Sequence, residues 1–331
     1  MSSVETITSE LAMRRVLDLA RRAPSVHNTQ PWAWRIHDGF VLELFADRTR
    51  QLRAVDPDGR DLLLSCGAAL HHAVMAAHVL GWASEVDQLP DPRRPELLAR
   101  LRLRPAPPPQ EASALLRAIT ERCTDRRRFT AWPIPQERLE ELAAVGRHQG
   151  AHLAPVVSPG LRARLELLLS RAMIAQEHDL DVRQEEEAWI GRTAVDGLSA
   201  PLLAPRADRG RRRRPTRFDH ADVIEREPLD GRDIESSDGV LLLGTANDGT
   251  LARLQAGMAL SAVWLEATLQ GFSLIPLSQV VEVAETRVAL AADVAAPRVH
   301  PQLLLRIGWQ EIGRSDLLRT PRRSVDDLLG R

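Results

Sequence analysis

The sequence predicts an α+β protein that is built from two diverged copies of one unit. Adding 190 to the residue number maps the segment 58–82 onto the segment 248–272. Identical residues at matched positions include the pairs Gly59 and Gly249, Leu64 and Leu254, Gly67 and Gly257, and Gly81 and Gly271. Downstream of this match, the apolar run 95–101 is echoed by the run 301–307, although not at the same offset, and each has the composition of a strand that enters a core.

The first copy begins with a predicted helix over 10–22, in which Leu11, Val16, Leu17 and Ala20 have helical spacing. Pro24 ends that pattern, because proline cannot donate the next helical hydrogen bond. A nearly continuous apolar run predicts a strand over 40–46. The turn residues of 56–59 then precede a long helix from about 60 to 80.

The second copy begins with a predicted helix over 136–145, which resembles the first helix at an offset of 125. The change of offset from 125 to 190 predicts an insertion of 65 residues within about 173–237. This insertion is polar and includes the basic run 209–214. It is either a solvated excursion or a lid over a functional site, and we place the two halves at 1–112 and 113–331.

Composition excludes several classes of protein. A net charge of −1 over 331 residues gives no general attraction to nucleic acid or to an anionic membrane. Two cysteines, Cys66 and Cys123, are too few for a disulfide framework and favour a reducing, cytoplasmic setting. The N-terminal residues lack the pattern of a signal peptide. The apolar segment 62–82 carries three histidines and is expected to be a core helix rather than a membrane span.

The cationic side chains are all arginine, because the sequence contains no lysine, and it contains no tyrosine either. A Schiff-base lysine and a tyrosine acid are therefore excluded, and any phosphate site must be made by arginine. The histidines of the segment 62–82 do not have the spacing of a metal site, so we expect no metal.

Two short motifs carry the chemistry. In the first, at 23–32, Ser25 and Asn28 place short polar side chains on a loop after Pro24. They either cap a turn or bind the edge of a flat heterocycle. In the second motif Arg122, Thr124 and Arg126 alternate, so two guanidinium groups and a hydroxyl are available to a phosphate. The alternative for this motif is a solvated basic face.

Together these motifs resemble the FMN-dependent nitroreductase family. The pattern Pro24-Ser25-x-x-Asn28-x-Gln30-Pro31-Trp32 resembles the loop that contacts the isoalloxazine ring, and Arg122-x-Thr124-x-Arg126 followed by Phe129 resembles the family's phosphate motif. Here the two motifs occur in reverse order and far apart. That arrangement is similar to the Acg-type branch, in which one chain imitates the nitroreductase dimer.

The resemblance implies an α+β nitroreductase-like fold and one FMN held between the halves. It implies that Pro24, Ser25, Asn28 and Gln30 bind the ring, and that Pro276, Leu277 and Ser278, in a loop over 271–279, also contact the flavin. The residues that it implies for the phosphate are Arg122, Thr124, Arg126 and Arg127, with Arg322 or Arg323 from the C-terminal segment. Asp125 must then point away from the phosphate.

The resemblance also implies a flavin-mediated, two-electron reduction of nitro, quinone or enone compounds, or the reverse dehydrogenation. NAD(P)H is a possible donor, the substrate is a small molecule, and no side chain is identified as a catalytic acid or base. Two alternatives remain: a low-turnover FMN storage protein covered by its lid, and a dedicated biosynthetic flavin dehydrogenase. Because the chain carries its own pseudo-dimer, we expect a monomer or a weak homodimer.

Overall fold

The structure, a computed structural model, describes residues 3–37, 40–124, 129–190, 192, 195–198, 234, 237–309 and 319–329. It contains two antiparallel four-stranded sheets with helices packed against them, which confirms the predicted α+β class. The first sheet has the order β1-β2-β4-β3 and the second has the order β5-β6-β8-β7. Strand order and strand direction are therefore the same in both halves.

The first half consists of α1 (Ser3–Ala20), β1 (Trp32–His37), β2 (Val41–Ala46), α2 (Arg60–Val79), β3 (Trp82–Gln88) and β4 (Leu97–Pro105), followed by α3 (Ala112–Glu121). Trp32 and Trp34 are fully buried on one face of β1, so their role is to fill the core of this half. Strand β1 begins at Trp32, the last residue of the motif at 23–32, for which the sequence predicted a loop.

The second half contains α4 (Gln136–Arg147), β5 (His152–Pro155), α5 (Pro159–His178), α6 (Leu180–Trp189), β6 (Gly239–Thr245), α7 (Thr250–Leu269), β7 (Phe272–Leu277), α8 (Gln279–Glu282), α9 (Ala284–Asp293), β8 (His300–Trp309) and α10 (Val325–Leu328). The expected loop over 271–279 is wrong, because Phe272–Leu277 pairs with β8 as an edge strand. Pro276 is tolerated there, since an edge strand can lack one ladder donor.

The extra chain of the second half enters between β5 and β6. The corresponding strands β1 and β2 are joined by residues 38–40, whereas β5 and β6 are separated by 156–238. The described part of that connection begins with α5 and α6. The segment 199–233, including the basic run, lies outside the described residues.

The central contact between the halves is the crossing of α2 and α7. Gly67 of α2 faces the backbone of α7 so closely that a Cβ atom would lie 3.0 Å from Cα of Gly257 and still closer to the carbonyl oxygen of Leu254. Gly257 meets the carbonyl of Leu64 in the same way. The contact is thus reciprocal and joins positions that the sequence repeat had matched, and only glycine permits this approach.

Helix α2 is long and apolar enough to span a membrane, but 78% of its apolar window is buried inside the protein. Its polar positions are also used internally: His71 and His72 each lie 2.8 Å from the hydroxyl of Ser261 on α7. These contacts agree with the expectation that the segment is a core helix.

The C-terminal segment returns to the first half. Leu328 is fully buried in the core of that half, and Leu329 forms a parallel bridge with Trp34 of β1. Arg14 of α1 pairs with Asp326 at 2.7 Å. The last described residues of the chain are therefore docked against α1 and β1.

The crossing predicts that Gly257→Ala destabilises the protein. The added methyl would overlap the backbone of α2, and such overpacking costs about 1–3 kcal/mol of unfolding free energy. Gly160→Ala in α5 is the control, because a Cβ there meets only the Ser158 hydroxyl at 3.9 Å. Urea unfolding should show a lower midpoint for the first variant only, and equal midpoints would contradict the close crossing.

Candidate functional site

One cavity lies where the ends of α1 and α3 meet the C-terminal segment. Its wall takes residues from four parts of the chain, including Leu198 of the inserted connection. The lining residues are Arg22, Pro24, Ser25, His27, Asn28, Ile119, Thr120, Arg122, Cys123, Thr124, Leu198, Arg319, Thr320 and Arg322. The cavity therefore brings the two sequence motifs together, although they are about a hundred residues apart.

The loop after α1 has an unusual backbone. His27, Asn28 and Gln30 all have positive φ angles, of 44°, 55° and 49°. Residues other than glycine seldom adopt this region. Each such residue costs of order 1–3 kcal/mol of backbone strain, and the conformation persists only where surrounding contacts enforce it. Such outliers concentrate at functional sites, so the loop is a candidate binding element on backbone geometry as well as on sequence.

Neighbouring residues hold this loop in place. The Ser25 hydroxyl accepts a hydrogen bond from the Gln30 amide at 3.0 Å, and the Ser65 hydroxyl accepts one from the Val26 amide at 3.2 Å. Arg50 donates to the carbonyl of Thr29 at 2.6 Å. Ser25 thus caps this turn, which was one of the two alternatives for its role, and it also lines the cavity.

Two arginines converge on the C-terminal end of α1. Arg122 donates to the carbonyl of Arg22 at 2.9 Å, and its guanidinium lies 4.5 Å from the ring centroid of Trp264. Arg322 approaches the carbonyls of Arg22 and Ala23 at 3.5 and 3.4 Å. The end of a helix carries partial negative charge, which explains why the chain can gather these cations here.

The cavity nevertheless has an excess of positive charge, because no acidic side chain among its lining residues balances the arginines. Four arginines and no carboxylate are among those residues. Burial, together with Arg122, Arg22 and Arg21, lowers the pKa of Arg322 to about 9. Burial and the nearby Arg319 lower the pKa of Arg122 to about 10, although Cys123 acts in the opposite direction.

Several donors in this cluster have no acceptor. The Nε atoms of Arg22, Arg122 and Arg322 are buried and make no hydrogen bond among the described residues. A buried guanidinium donor without a partner is costly, and an anion would satisfy both its hydrogen bond and its charge. The arrangement is therefore suited to a phosphate or another oxyanion.

Asn28 connects three parts of the chain. Its Oδ1 accepts a hydrogen bond from Arg322 at 3.0 Å, and its Nδ2 donates to the carbonyls of Gly197 and Pro321, each at 3.0 Å. Asn28 therefore clamps the inserted connection and the C-terminal segment to the loop. The sequence placed Asn28 and Arg322 at opposite ends of a cofactor, whereas the structure places them in contact.

The inserted connection packs against the first half. Trp189 and Val182 of α6 form a small apolar cluster with Leu52 and Val55. Glu185 accepts hydrogen bonds from three successive backbone amides, at 53–55. The described residues 195–198 contact the loop at 25–30 through the carbonyls of Val195 and Gly197.

The other predicted site residues are distributed as follows. Gln30 does not line the cavity; its side chain donates to the carbonyl of Val195 at 2.9 Å and accepts from the Arg323 amide at 2.9 Å. The residues Pro276, Leu277 and Ser278 lie at the end of β7 and the start of α8, and they do not line the cavity either. Arg126 and Arg127 lie outside the described residues.

Sequence reasoning missed Arg22 and His27 as lining residues. Arg22 lies two residues before Pro24, in the turn between α1 and the motif loop. Its closeness to Pro24 in the sequence was the signal that could have identified it. Thr120 and Cys123 also line the cavity, because Arg122 lies between them at the end of α3. Among the described residues no group of three histidine, cysteine or acidic side chains could hold a metal ion.

Comparison with known proteins places the chain among nitroreductase-like proteins of full length. Rv3131 of Mycobacterium tuberculosis, a candidate NAD(P)H nitroreductase by name, is 38% identical over 321 residues, which are 96% of this chain and 90% of that protein. Acg of the same organism, named in the same terms, is 30% identical over 329 residues, or 98% and 97% of the two chains. No protein-family model matches the chain.

Among solved structures, the FMN-dependent nitroreductase NfnB of Mycobacterium smegmatis, in complex with NADPH, aligns with 65% of this chain and 96% of that one. Its sequence identity is 17% and the TM-score is 0.44.

The Asn28 contacts predict that Asn28→Ala releases both segments that it clamps. Three hydrogen bonds are lost, so amide hydrogen exchange should become faster in 195–198 and 319–329. Asn247→Ala is the control, since Asn247 caps only the local turn at Gly249. Unchanged exchange in both segments of Asn28→Ala would contradict the clamp.

The lowered arginine pKa values predict a dependence of anion affinity on alkaline pH. Both groups are protonated below about pH 9 in the ligand-free protein, and an anion favours that charged form. As the pH rises toward these lowered pKa values, the free cavity begins to lose a proton that the anion must restore, so anion affinity should fall with rising pH. Titration of inorganic phosphate by its effect on Tm between pH 8 and 10, where phosphate is already mainly a dianion, measures this; constant affinity would contradict it.

Proposed function

The chain belongs to the Acg-type branch of the NAD(P)H nitroreductase family, and from this premise we propose that it is an oxidoreductase that holds one FMN between its two halves. The observation that carries the proposal is the arginine-lined cavity, in which Pro24, Ser25 and Asn28 of one motif meet Arg122 and Thr124 of the other. In this proposal the phosphate lies against the arginines, and the ring lies along the loop.

The donor set fits the phosphate of FMN. Arg122 and Arg322 offer buried Nε donors without acceptors among the described residues, and Thr124 adds a hydroxyl. Among the described residues the lining carries no carboxylate that would repel a dianion. We retain Arg126 and Arg127 as further phosphate ligands on the strength of the motif alone.

The loop fits a role at the ring edge. Ser25 accepts from the Gln30 amide, which leaves its own O–H free to donate into the cavity. The backbone of 27–30 is fixed in an uncommon conformation, so its polar groups are positioned before the ring arrives. Gln30 and Arg323 tie this loop to neighbouring segments, and a direct contact of either with the cofactor stays a prediction.

When bound, the flavin supplies hydride transfer through N5, and the protein supplies position, charge and access. We propose small nitro, quinone or enone compounds as substrates, with NAD(P)H as the electron donor. The positive cavity would stabilise the phosphate and, through it, fix the ring against the loop. Apolar Leu198 lies at the wall and would limit the entry of water.

A single flavin per chain follows from the proposed duplication. The support is the equal strand order of the two sheets and the reciprocal contact of Gly67 with Gly257. The loop that follows α4, the counterpart of α1, lacks the Pro-Ser-x-x-Asn pattern. Only one pair of complementary motifs is therefore available, and a monomer needs no second chain to complete the site.

The inserted connection favours a second candidate function, the low-turnover storage of FMN. Residues 195–198 bond to Asn28 and Gln30, and α6 is fixed to residues 53–55, so the described part of the insertion lies over the ring motif. A cover at this position would restrict the approach of a nicotinamide. The two candidates share the same cofactor site and differ in access to it.

We expect the purified protein to show a flavin spectrum with about one FMN per chain, and Arg122→Ala to lose most of it. Removing one forked donor of a buried anion costs about 1.5–3 kcal/mol, or roughly tenfold to a hundredfold in affinity. Arg117→Ala is the control, because Arg117 is exposed on the same helix, α3. A native protein that takes up no FMN would refute the cofactor assignment.

Bleaching of the flavin then distinguishes the two candidates. An exposed ring face should be reduced by NADPH or NADH under anaerobic conditions within seconds to minutes, and addition of a nitro compound should restore the colour. A storage protein should resist both nicotinamides and bleach only with dithionite. The second result would replace the reductase proposal with the storage proposal.

A further inference from the structure

Arg22 lines the cavity although it lies outside both sequence motifs. It lies in the turn that follows α1, within the predicted half 1–112, whereas the phosphate motif lies within the predicted half 113–331. Its neighbours in the cavity wall are the arginines at 122, 319 and 322. The side chain is therefore placed among the groups that make the anion site.

The backbone of Arg22 is fixed where the cluster forms. Its carbonyl accepts the hydrogen bond from Arg122 at 2.9 Å and is approached by Arg322 at 3.5 Å. Both of these arginines thus contact the backbone of a residue that also lines the cavity. The Arg22 charge lies close enough to Arg322 to help lower the pKa of that group, so an anion at Arg322 would also lie near the Arg22 charge.

The hydrogen bonding of Arg22 differs from that of the adjacent arginine. The Nε of Arg22 is buried and has no acceptor among the described residues. Arg21, in contrast, pairs with Asp18 at 2.7 Å and donates to the carbonyl of Arg323 at 3.1 Å. The Arg21 side chain therefore has partners within the fold, whereas the Arg22 side chain has a charge and a buried Nε donor that no described residue pairs with.

We propose that Arg22 is a direct ligand of the phosphate, so that the first half supplies part of the phosphate site as well as the ring loop. This inference rests on the proposed FMN function. It makes the phosphate a bridge between the end of α1, the end of α3 and the C-terminal segment. It also makes Arg22 a determinant of selectivity for FMN over riboflavin, which lacks the phosphate.

The test compares two ligands in matched variants. Dissociation constants of FMN and riboflavin are measured by flavin fluorescence for the native protein, Arg22→Ala, Arg22→Gln and the control Arg21→Ala. Arg22→Gln retains a long side chain in case the alanine variant folds poorly. We expect both Arg22 variants to weaken FMN by about tenfold to a hundredfold and riboflavin by less than about twofold. Arg21→Ala should change either by less than about threefold, since its effect is only a screened charge.

A second readout does not need the flavin. Inorganic phosphate should raise the Tm of the native protein and of Arg21→Ala, and the increase should shrink in Arg22→Ala and Arg22→Gln. The protein could take up no FMN and still be stabilised by phosphate in a way that depends on Arg22. This result would support the anion site and refute the flavin function.

Three results would overturn the inference itself. FMN and riboflavin could weaken equally in the Arg22 variants, which would mean that the phosphate is not the contact. Arg21→Ala could match Arg22→Ala, which would mean that only the general charge matters. Both Arg22 variants could also keep the native FMN affinity and the native stabilisation by phosphate. That result would show that the Arg22 side chain does not touch the anion, and it would leave the proposed FMN function intact.

Discussion

The crossing of α2 and α7 at Gly67 and Gly257 sets the geometry of the rest of the molecule. Because the two backbones touch, the distance between the halves is fixed by main-chain atoms rather than by adaptable side chains. Helix α1 packs on α2, and α3 packs on both central helices. The ends of α1 and α3 are thereby brought to one place, where the cavity forms. The site is a consequence of how closely the halves approach.

The cavity concentrates charge that folding alone does not neutralise. The carbonyls at the end of α1 align Arg122 and Arg322 but leave buried Nε donors without acceptors among the described residues. The lowered pKa values of both arginines express the same cost. An anion that binds here relieves this electrostatic cost, so anion binding and protein stability are coupled.

The loop at 25–30 is held from several directions in an uncommon conformation. Ser65 supports it from the core, Arg322 from the C-terminal segment and Gly197 from the insertion. None of these partners is near the loop in sequence. The positive φ angles at His27, Asn28 and Gln30 persist because tertiary contacts enforce them. These contacts therefore fix the conformation of the loop, and one of them joins it to the segment between β5 and β6.

The sequence by itself determined the α+β class, the long core helix α2 and the motifs that resemble a flavin site, because apolar periodicity and short polar patterns are local properties. It also showed the repeated glycines, although not that Gly67 and Gly257 face each other. Only the tertiary structure revealed that Phe272–Leu277 is an edge strand, that Asn28 bonds to Arg322, and that Arg22 lines the cavity. These features depend on pairing and packing between segments that are distant in the chain, and the chemistry of each residue alone does not specify which distant partner it meets.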